Sequence, residues 1–399
     1  MRILVTASAH FAITDDGALW TPTASTGYTF SARYLDVFDE ASLLVRAHPR
    51  AAPPEGWKCA TGPGVKAAPL PDSVGPWGFV TNFAQITRTI RAVLPDAEAV
   101  LLRIPCHIGG QVRRHLPERR PYGAEVVGDP HDTFAPGSIR HPLRPFFRSW
   151  FPRQLRKQCA GARATAYVTE RALQRRYPPA PRAFSTHFSD VELPEAAFVA
   201  NPRPPPRQAS RTTLILVGTL AQLYKAPDVL IDAVAACVSK GLDLQLTIIG
   251  DGKHRSELEA RTRTLGLAER VCFRGQLTAG DPVRQELDQA DLFVLPSYQE
   301  GLPRAMIEGM ARALPCIGST AGGIPELLLP EEMVPAGDVA ALACKIREVV
   351  TAPERMARMS ARNLAKAREY NDEALRPRRI SFYQHLRAET TRWLQTRVG

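Results

Sequence analysis

The sequence lacks any long uninterrupted run of apolar residues, so it predicts no transmembrane helix. Its first apolar run is short and is soon followed by Asp15 and Asp16, which is typical of a buried first strand rather than a signal peptide. None of the seven cysteines belongs to a C-x-x-C pair, which favours reduced core thiols in a cytoplasmic protein. Internal repeats and low-complexity tracts are also missing.

Acidic residues are absent from one long stretch, since none lies between Asp132 and Glu170. The same stretch is basic and carries interleaved aromatic side chains, namely Phe146, Phe147, Trp150 and Phe151. The net charge of +11 indicates an anionic partner, for which a nucleotide diphosphate, a phospholipid surface and nucleic acid all fit. Prolines in segment 140–157 predict that no continuous amphipathic helix forms there, and no nucleic-acid module accompanies the segment.

Short apolar runs alternate with amphipathic stretches along the chain, which predicts an α/β fold built on parallel sheets. At 399 residues, two domains are expected. We place an N-terminal Rossmann-like domain at 1–195, a proline-rich linker at 196–212 and a second domain at 213–370. The final helix, at 371–399, is a candidate to pack back on the first domain.

Two glycine turns follow strand patterns early in the second half. Gly218 ends one strand and is followed by Lys225, a cation that can reach a pyrophosphate. Gly250 and Gly252 flank an aspartate at the end of the next strand. Glycine lets the backbone approach a ligand closely, and a following helix N-terminus favours phosphate. Taken alone, each turn is better explained as an ordinary loop of the protein surface.

Glu300 and Glu308 form the most informative pair of carboxylates. Glu300 follows an apolar strand pattern, and Glu308 lies inside a helix that Pro303 is predicted to open as its first residue. Side chains at this end of a strand face the crevice where doubly wound sheets bind ligands. A sugar joined to a nucleotide needs acceptors at two separated points, although an isolated pair also fits solvated surface charges. Gly322 and its neighbouring glycine offer N–H groups to an anion before the next helix.

Together these turns make residues 212–330 resemble the donor-binding domain of the retaining glycosyltransferases of family 4, the glycosyl transferases group 1. The resemblance also uses an F-x-G step at 273–275, an A-D-x-x-x-x-P-S run at 290–297, the E-G-x₆-E spacing from Glu300 to Glu308, and a G-G-x-x-E run at 322–326. It implies the GT-B fold, with two Rossmann-like domains facing a central cleft. It also implies transfer of a sugar from a nucleotide diphosphate to an acceptor hydroxyl, with retention and without a metal cofactor. The sequence contains no Asp-x-Asp cluster placed like a metal–diphosphate site.

The resemblance also assigns residues to the donor. Glu300 would bind the sugar hydroxyls, Glu308 the ribose hydroxyls and Lys225 the diphosphate. The full set of implied donor-binding residues is Gly218, Thr219, Lys225, Gly250, Gly252, Arg274, Gly275, Glu300, Gly301, Leu302, Pro303 and Glu308. Family members often have an arginine where this sequence has Thr219, which leaves more of the phosphate charge to Lys225.

The first half matches the family less closely. A single glycine, Gly27, stands where members have a Gly-Gly loop, and we assign Gly27, Tyr28 and Asp132 to the acceptor side. Asp129 and His131 compete for the position nearest the donor sugar, and a plain loop histidine is the alternative. These two residues join Glu300 and Lys225 as candidate catalytic residues.

The sequence therefore predicts a hexosyltransferase with a UDP-sugar favoured as donor and a GDP-sugar as second choice. Polysaccharide, glycolipid and secondary-metabolite acceptors all fit. The alternatives are a nucleotide-sugar epimerase of the same fold and a non-catalytic basic protein that binds membrane or nucleic acid. The intact Glu300 and Glu308 pair disfavours the last, and no nucleic acid is expected. We expect a cytoplasmic protein with peripheral contact at the inner membrane face through 140–157.

Overall fold

The computed structural model describes residues 1–22, 26–73, 78, 80–135, 138, 141–205 and 211–398. Arg140 of the basic segment and residues 206–210 of the predicted linker lie outside the described residues. The chain forms two compact units. The first comprises Met1–Gly128, Pro152–Phe188 and Arg376–Gly399, and the second comprises Asp129–Phe151 and Ser189–Leu375.

The described strands of the first unit are β1 (Arg2–Ile13), β2 (Leu19–Thr21), β3 (Glu40–Pro49), β4 (Lys58–Cys59), β5 (Val65–Pro71), β6 (Ala99–Ile104), β7 (Gly123–Val126), β8 (Ala164–Tyr167) and β9 (Phe184–His187). Those of the second unit are β10 (Thr212–Val217), β11 (Leu244–Ile249), β12 (Val271–Gly275), β13 (Leu292–Leu295), β14 (Cys316–Ser319) and β15 (Met333–Val334).

The described α-helices, in chain order, are α1 (Tyr28–Ala32), α2 (Phe83–Val93), α3 (His107–His115), α4 (Pro130–Thr133), α5 (Arg144–Gly161), α6 (Ala172–Arg176), α7 (Pro227–Val238), α8 (Arg255–Thr264), α9 (Asp281–Gln289), α10 (Arg304–Ala311), α11 (Val339–Val350), α12 (Pro353–Arg368) and α13 (Asp372–Val398). Across the described residues, no helix is both long enough and apolar enough to cross a bilayer.

The first unit is organised around a parallel sheet in the order β5-β3-β1-β6-β7-β8-β9, to which β2 and β4 add antiparallel pairs. The central strand begins with Ile3, Leu4 and Val5, which are almost completely buried because helices cover both faces of such a sheet. The strand order reverses on either side of β1, as in a doubly wound fold.

The final helix packs on the first unit through a buried charged network. Glu125 on β7 accepts hydrogen bonds from Tyr383 Oη on α13, at 2.9 Å, and from Arg33 Nη2, at 3.0 Å. Arg103 on β6 donates to the same carboxylate. A buried carboxylate needs such partners, because desolvation of an unpaired charge is costly. The contacts hold α13 against β6 and β7.

The second unit contains a fully parallel sheet in the order β12-β11-β10-β13-β14-β15. Numbered along the chain from β10, the order is 3-2-1-4-5-6, the doubly wound arrangement with a crevice outside the carboxyl ends of β10 and β13. The predicted α/β class with two Rossmann-like domains is therefore confirmed.

Two expectations about prolines are wrong. The prolines of segment 140–157 were expected to break a continuous amphipathic helix, but α5 runs from Arg144 to Gly161 through Pro152 without a break. Pro145 stands in the first turn of α5, where a backbone N–H has no intrahelical acceptor, and one interior proline removes only one further hydrogen bond. Pro303 is not the first residue of α10 but the one before it, because its ψ of 101° is extended rather than helical.

Candidate functional site

Several loops of the second unit meet at the carboxyl ends of β10, β13 and β14. The backbone N–H of Tyr298 donates to Tyr224 O at 2.8 Å, which joins the loop after β13 to the loop after β10. Gly323 N donates to Gly301 O at 2.7 Å, which joins the loop after β14 to the same place. These bonds bring the predicted lysine turn, glutamate turn and paired glycines together at the crevice of the sheet.

Lys225 and Glu300 form an ion pair at the centre of these loops. Lys225 Nζ lies 2.6 Å from Glu300 Oε1, and the side chains are only 12% and 6% exposed. Ser297 Oγ donates to the same oxygen at 2.7 Å, and Ser319 Oγ donates to Ser297 O at 2.6 Å. Glu300 Oε2 has no hydrogen-bond partner in the described part of the chain, so it is available to accept from a ligand hydroxyl.

Burial acts to lower the pKa of Lys225, but the Glu300 carboxylate outweighs burial, and the pKa is raised. The ammonium group therefore stays charged at neutral pH. It has three N–H donors, of which Glu300 occupies one. The remaining donors allow Lys225 to contact a phosphate oxygen without releasing Glu300.

Glu308 is half-buried on α10, and its carboxylate makes no hydrogen bond or ion pair with a described residue. Burial raises the pKa of its carboxyl group, while the charges of Arg304 and Arg284 lower it and that of Glu192 raises it. Such a carboxylate has accepting oxygens but no donor. This is the state expected of a group that accepts from ligand hydroxyls only when a ligand binds.

Two glycines are required by close contacts between the loops. A Cβ added to Gly250, whose φ is +135°, would lie 1.9 Å from Gly218 O. A Cβ added to Gly322, whose φ is +54°, would lie 2.1 Å from Glu300 O. Both φ values disfavour side chains as well. Gly252 packs equally closely on the loop after β10, so the glycine turns position the backbone at Gly218 and Glu300.

The other predicted donor residues of these loops lie nearby. Thr219 Oγ1 accepts from Ala221 N at 3.1 Å, so the hydroxyl that replaces the family arginine is engaged within its own turn. Leu302 and Pro303 are buried directly before α10. The first N–H groups of α10 therefore begin at Arg304, three residues beyond Gly301, where a helix N-terminus favours an anion.

Arg274 and Gly275 lie at the end of β12. Gly275 O accepts from Gly250 N at 2.8 Å, which connects β12 to the glycine turn. Arg274 instead pairs with Glu286 on α9, at 2.8 Å, and is 44% exposed. In this conformation Arg274 is directed to α9, and its contact with a donor stays a prediction.

Asp129, His131 and Asp132 form a single short turn that belongs to the second unit. The Asp129 carboxylate accepts from His131 N at 2.8 Å and so caps α4. His131 Nδ1 lies 3.0 Å from Asp132 Oδ1. The segment Asp129–Phe151, which contains this turn, belongs to the same compact unit as Glu300.

Gly27 and Tyr28, the other predicted acceptor-side residues, lie in the first unit at the start of α1. The Tyr28 hydroxyl donates to Pro63 O at 2.8 Å, so it is engaged in the structure. The acceptor role of Gly27, Tyr28 and Asp132 stays a prediction.

Sequence reasoning missed the two serines that support Glu300. Ser297 was noted only as part of a motif, and Ser319 was not noted as functional. It also missed that Ser138 Oγ donates to Gln299 Oε1 at 3.1 Å, which ties the Asp129–Phe151 segment to the glutamate loop. No group of three or more His, Cys, Asp or Glu side chains arranged to hold a metal occurs among the described residues.

Comparison with known proteins gives the family context. Residues 211–352 match the family described as glycosyl transferases group 1. Protein CapJ of Staphylococcus aureus is 24% identical over 314 residues, which cover 78% of this chain and 77% of CapJ.

Two solved structures resemble the whole chain. Sucrose-phosphate synthase from Thermosynechococcus elongatus superposes with a TM-score of 0.72 at 17% identity, covering 97% of this chain and 99% of the other. Anabaena HepE in complex with UDP and glucose gives a TM-score of 0.61 at 17% identity, covering 98% of both chains. These likenesses show that the fold is GT-B.

Proposed function

We propose that this glycosyltransferase, whose residues 211–352 belong to the glycosyl transferases group 1, moves a hexose from a nucleotide diphosphate sugar to an acceptor hydroxyl with retention. The Lys225–Glu300 pair carries the proposal, because it combines a charged ammonium with a carboxylate oxygen that has no described partner. A nucleotide sugar has an anionic diphosphate beside a hydroxyl-bearing ring, which matches this combination.

The donor is proposed to lie along the loops at the carboxyl ends of β10 and β13. Glu300 Oε2 accepts from hydroxyls of the sugar, Lys225 contacts the diphosphate, and Glu308 accepts from the ribose hydroxyls. A UDP-sugar is favoured over a GDP-sugar, and the structure of HepE with UDP and glucose supports that choice. The first N–H groups of α10 add positive potential for the phosphates.

In the proposed reaction, the bond between the anomeric carbon and the diphosphate oxygen breaks, and the acceptor oxygen bonds to the same face of that carbon. The leaving phosphate takes the acceptor proton. Lys225 stabilises the negative charge that develops on the diphosphate. Proton NMR of a product formed in the first minutes tests retention, since a product of inverted configuration contradicts it.

The proposed reaction needs no metal cofactor. Activity after dialysis against EDTA should equal that before dialysis. A loss of activity that Mg²⁺ or Mn²⁺ restores would contradict metal independence.

The test of the proposed function is incubation with radiolabelled UDP- and GDP-sugars. Slow hydrolysis or transfer of the sugar supports a transferase, and a free epimer supports the epimerase of the same fold. Tight binding to a polyanion without turnover supports the non-catalytic alternative. Turnover with UDP-sugars alone would select the nucleotide.

Asp129 and His131 are proposed to lie near the donor sugar, with Gly27, Tyr28 and Asp132 on the acceptor side. The cap of α4 at Asp129 suggests that this carboxylate holds the turn and leaves His131 as the group nearer the sugar. His131→Asn should then lower kcat while leaving UDP affinity within about twofold, whereas Asp129→Ala should also lower stability, because it removes the side-chain acceptor that caps α4.

Peripheral contact with the inner face of a membrane is proposed for segment 140–157, in a cytoplasmic protein. Leu143, directly before α5, and Phe146 and Trp150 in its first two turns are 56%, 58% and 36% exposed. Phe134 and Phe151 stack beneath them, with ring centroids 5.3 Å apart. Exposed apolar side chains beside a basic stretch without acids suit an anionic bilayer surface.

Vesicle sedimentation tests the membrane contact. With vesicles of phosphatidylcholine and phosphatidylglycerol, the wild type should sediment and a Leu143→Ser, Phe146→Ser, Trp150→Ser variant should not. The control replaces Leu265 and Leu329, which are 40% and 44% exposed elsewhere in the second unit, by serine. Equal sedimentation of the two variants, or none of the wild type, contradicts membrane contact.

A further inference from the structure

Three polar side chains meet at the carboxyl edge of the first unit's sheet, outside the donor site. His10 lies near the end of β1, His48 near the end of β3, and Asp72 directly follows β5. His10 Nδ1 is 2.8 Å from Asp72 Oδ1, and His48 Nδ1 is 3.7 Å from Asp72 Oδ2. All three side chains are partly exposed. A doubly wound sheet binds its ligands at this edge.

The buried side chain of Arg46 stabilises the positions of His10 and Asp72. It is 9% exposed, and its guanidinium donates to Ser73 O, at 2.9 Å, and to Ser8 O. Ser8 lies in the irregular part of β1, between Thr6 and His10, where the register with β3 shifts. The arginine therefore ties β1 to the end of β5, and this tie brings His10 against Asp72.

The hydrogen-bond chemistry of the cluster limits what it can bind. An ionised carboxylate only accepts, so in the 2.8 Å contact with Asp72 the proton lies on His10 Nδ1. His48 Nδ1, at 3.7 Å, lies beyond hydrogen-bond distance of Asp72, so this contact does not set the tautomer of His48. Neither Nε2 of His10 nor that of His48 has a partner among the residues that the structure describes. In this tautomer His10 Nε2 is an acceptor, so a ligand at His10 Nε2 donates a hydrogen bond, as a hydroxyl does and a phosphate dianion does not.

Two buried polar atoms next to the cluster also lack partners. Ser73 Oγ and Arg46 Nε make no hydrogen bond with any residue that the structure describes, although Ser73 is only 2% exposed and Arg46 only 9%. Buried polar groups are nearly always bonded, so these two atoms keep unused hydrogen-bonding capacity beside the cluster. Ser73 Oγ can accept or donate a hydrogen bond, and Arg46 Nε can donate one.

Two aromatic neighbours complete the surroundings. The Trp57 ring packs edge-on against His48, with centroids 6.1 Å apart, and gives the polar cluster an apolar wall. His107, at the start of α3, has a pKa lowered to about 4 by burial and by the charges of Arg46 and His10, so it is neutral at physiological pH. Ligand pockets commonly combine an apolar wall with a few convergent polar groups.

We propose that His10, His48 and Asp72 form a binding site for the hydroxyl groups of a saccharide or cyclitol, with Trp57 beside it. The inference rests on the proposed function, because the bound molecule would be the sugar acceptor. Asp72 is a positioning residue that fixes the His10 imidazole, and His10 Nε2 accepts from a ligand hydroxyl, with His48 beside the other Asp72 oxygen.

Saturation-transfer difference NMR tests the site with defined probes. The full chain with UDP is mixed with the methyl glycosides of glucose, galactose, mannose and N-acetylglucosamine, and with myo-inositol. At least one probe should receive saturation from the wild type, and binding should weaken about tenfold in His10→Asn and in Asp72→Asn. UDP affinity should stay within about twofold, because the donor site is untouched.

His385→Asn is the matched control, since His385 also faces a carboxylate in the first unit, Glu389 at 3.8 Å, but lies on α13. It should bind the probes as the wild type does. Unchanged binding in Asp72→Asn, or no saturation of any probe by the wild type, overturns the proposal. Competition by inorganic phosphate at the same histidines also overturns it, because it identifies an anion site.

The outcome separates this inference from the proposed function. Imidazole nitrogen shifts of His10 should show a proton on Nδ1 and a bare Nε2, and addition of the bound sugar should move the Nε2 signal. Sugar binding at His10 without any turnover of nucleotide sugars would leave the site standing and refute the transferase. Turnover of nucleotide sugars with no sugar binding at His10 would support the transferase and refute the site at His10.

Discussion

Replacing Lys225 with methionine should destabilise the second unit, because it leaves the Glu300 carboxylate buried without its cation. Breaking a fully buried ion pair by removing one partner costs about 3–5 kcal/mol. Here the two side chains are 12% and 6% exposed, and Ser297 still donates to Glu300 Oε1. The remaining hydrogen bond offsets part of the loss, so we expect about 2–3 kcal/mol.

That loss corresponds to a Tm lower by about 5–10 °C for a unit of this size. Lys345→Met is the control, because Lys345 pairs with Glu348 at 2.7 Å but that glutamate is 50% exposed. An exposed pair of this kind contributes about 0.5 kcal/mol or less. Differential scanning calorimetry and urea unfolding, both without nucleotide, measure the two variants side by side.

The stabilisation that Lys225 contributes depends on pH in a direction set by its pKa shift. The pKa of Lys225 is raised in the folded protein, so the stabilisation is complete below the unfolded lysine pKa of about 10.4 and is lost as pH rises through the folded value. The difference in Tm between the wild type and Lys225→Met should thus be constant from pH 6 to 9. Equal Tm values for Lys225→Met and Lys345→Met would refute the reasoning, and adding Glu300→Leu to Lys225→Met should recover stability.

Three further results are expected. Glu308→Gln should raise the Tm but weaken UDP binding in calorimetry. Because burial raises the pKa of Glu308, the gain in Tm should be small in acid and should grow as pH rises through that pKa. A gain in Tm that is constant with pH would contradict this reasoning. Ser297→Ala should lower kcat/KM for the donor about tenfold and retain UDP affinity, because Glu300 is then free to rotate. Unchanged kinetics would show that Ser297 does not position Glu300. Tyr383→Phe should cost about 1–3 kcal/mol in urea unfolding by leaving buried Glu125 short of a donor, and a neutral result would contradict that.

The strands and most site loops of the second unit were predictable from sequence. Continuous apolar runs such as Leu292–Leu295 occur in strands buried on both faces, and that strand matches its prediction residue for residue. Each run ends in a glycine or a polar turn, which places Gly218 and Glu300 at one edge of a parallel sheet. Glu300 and Lys225 pair because both lie at that edge of the sheet, although the sequence predicted only a phosphate contact for the lysine.

Other features depend on tertiary contacts that no local pattern encodes. The helix α5 passes through Pro152 because that residue and Leu155 are buried, and packing outweighs the lost hydrogen bond. The cluster of His10, His48 and Asp72 joins residues far apart in sequence through the register of three strands. Ser319 acts on Ser297 across 22 positions, so its role emerges only in the folded sheet.

The central claim is that Glu300 binds the donor sugar at a site where Lys225 binds the diphosphate. Its most direct test compares the turnover of a radiolabelled UDP-hexose by the wild type and by Glu300→Gln, with UDP affinity measured by calorimetry on the same samples. The account predicts that Glu300→Gln loses nearly all turnover while its far-UV circular dichroism is unchanged and UDP still binds. Near-normal turnover by Glu300→Gln would contradict the site assignment.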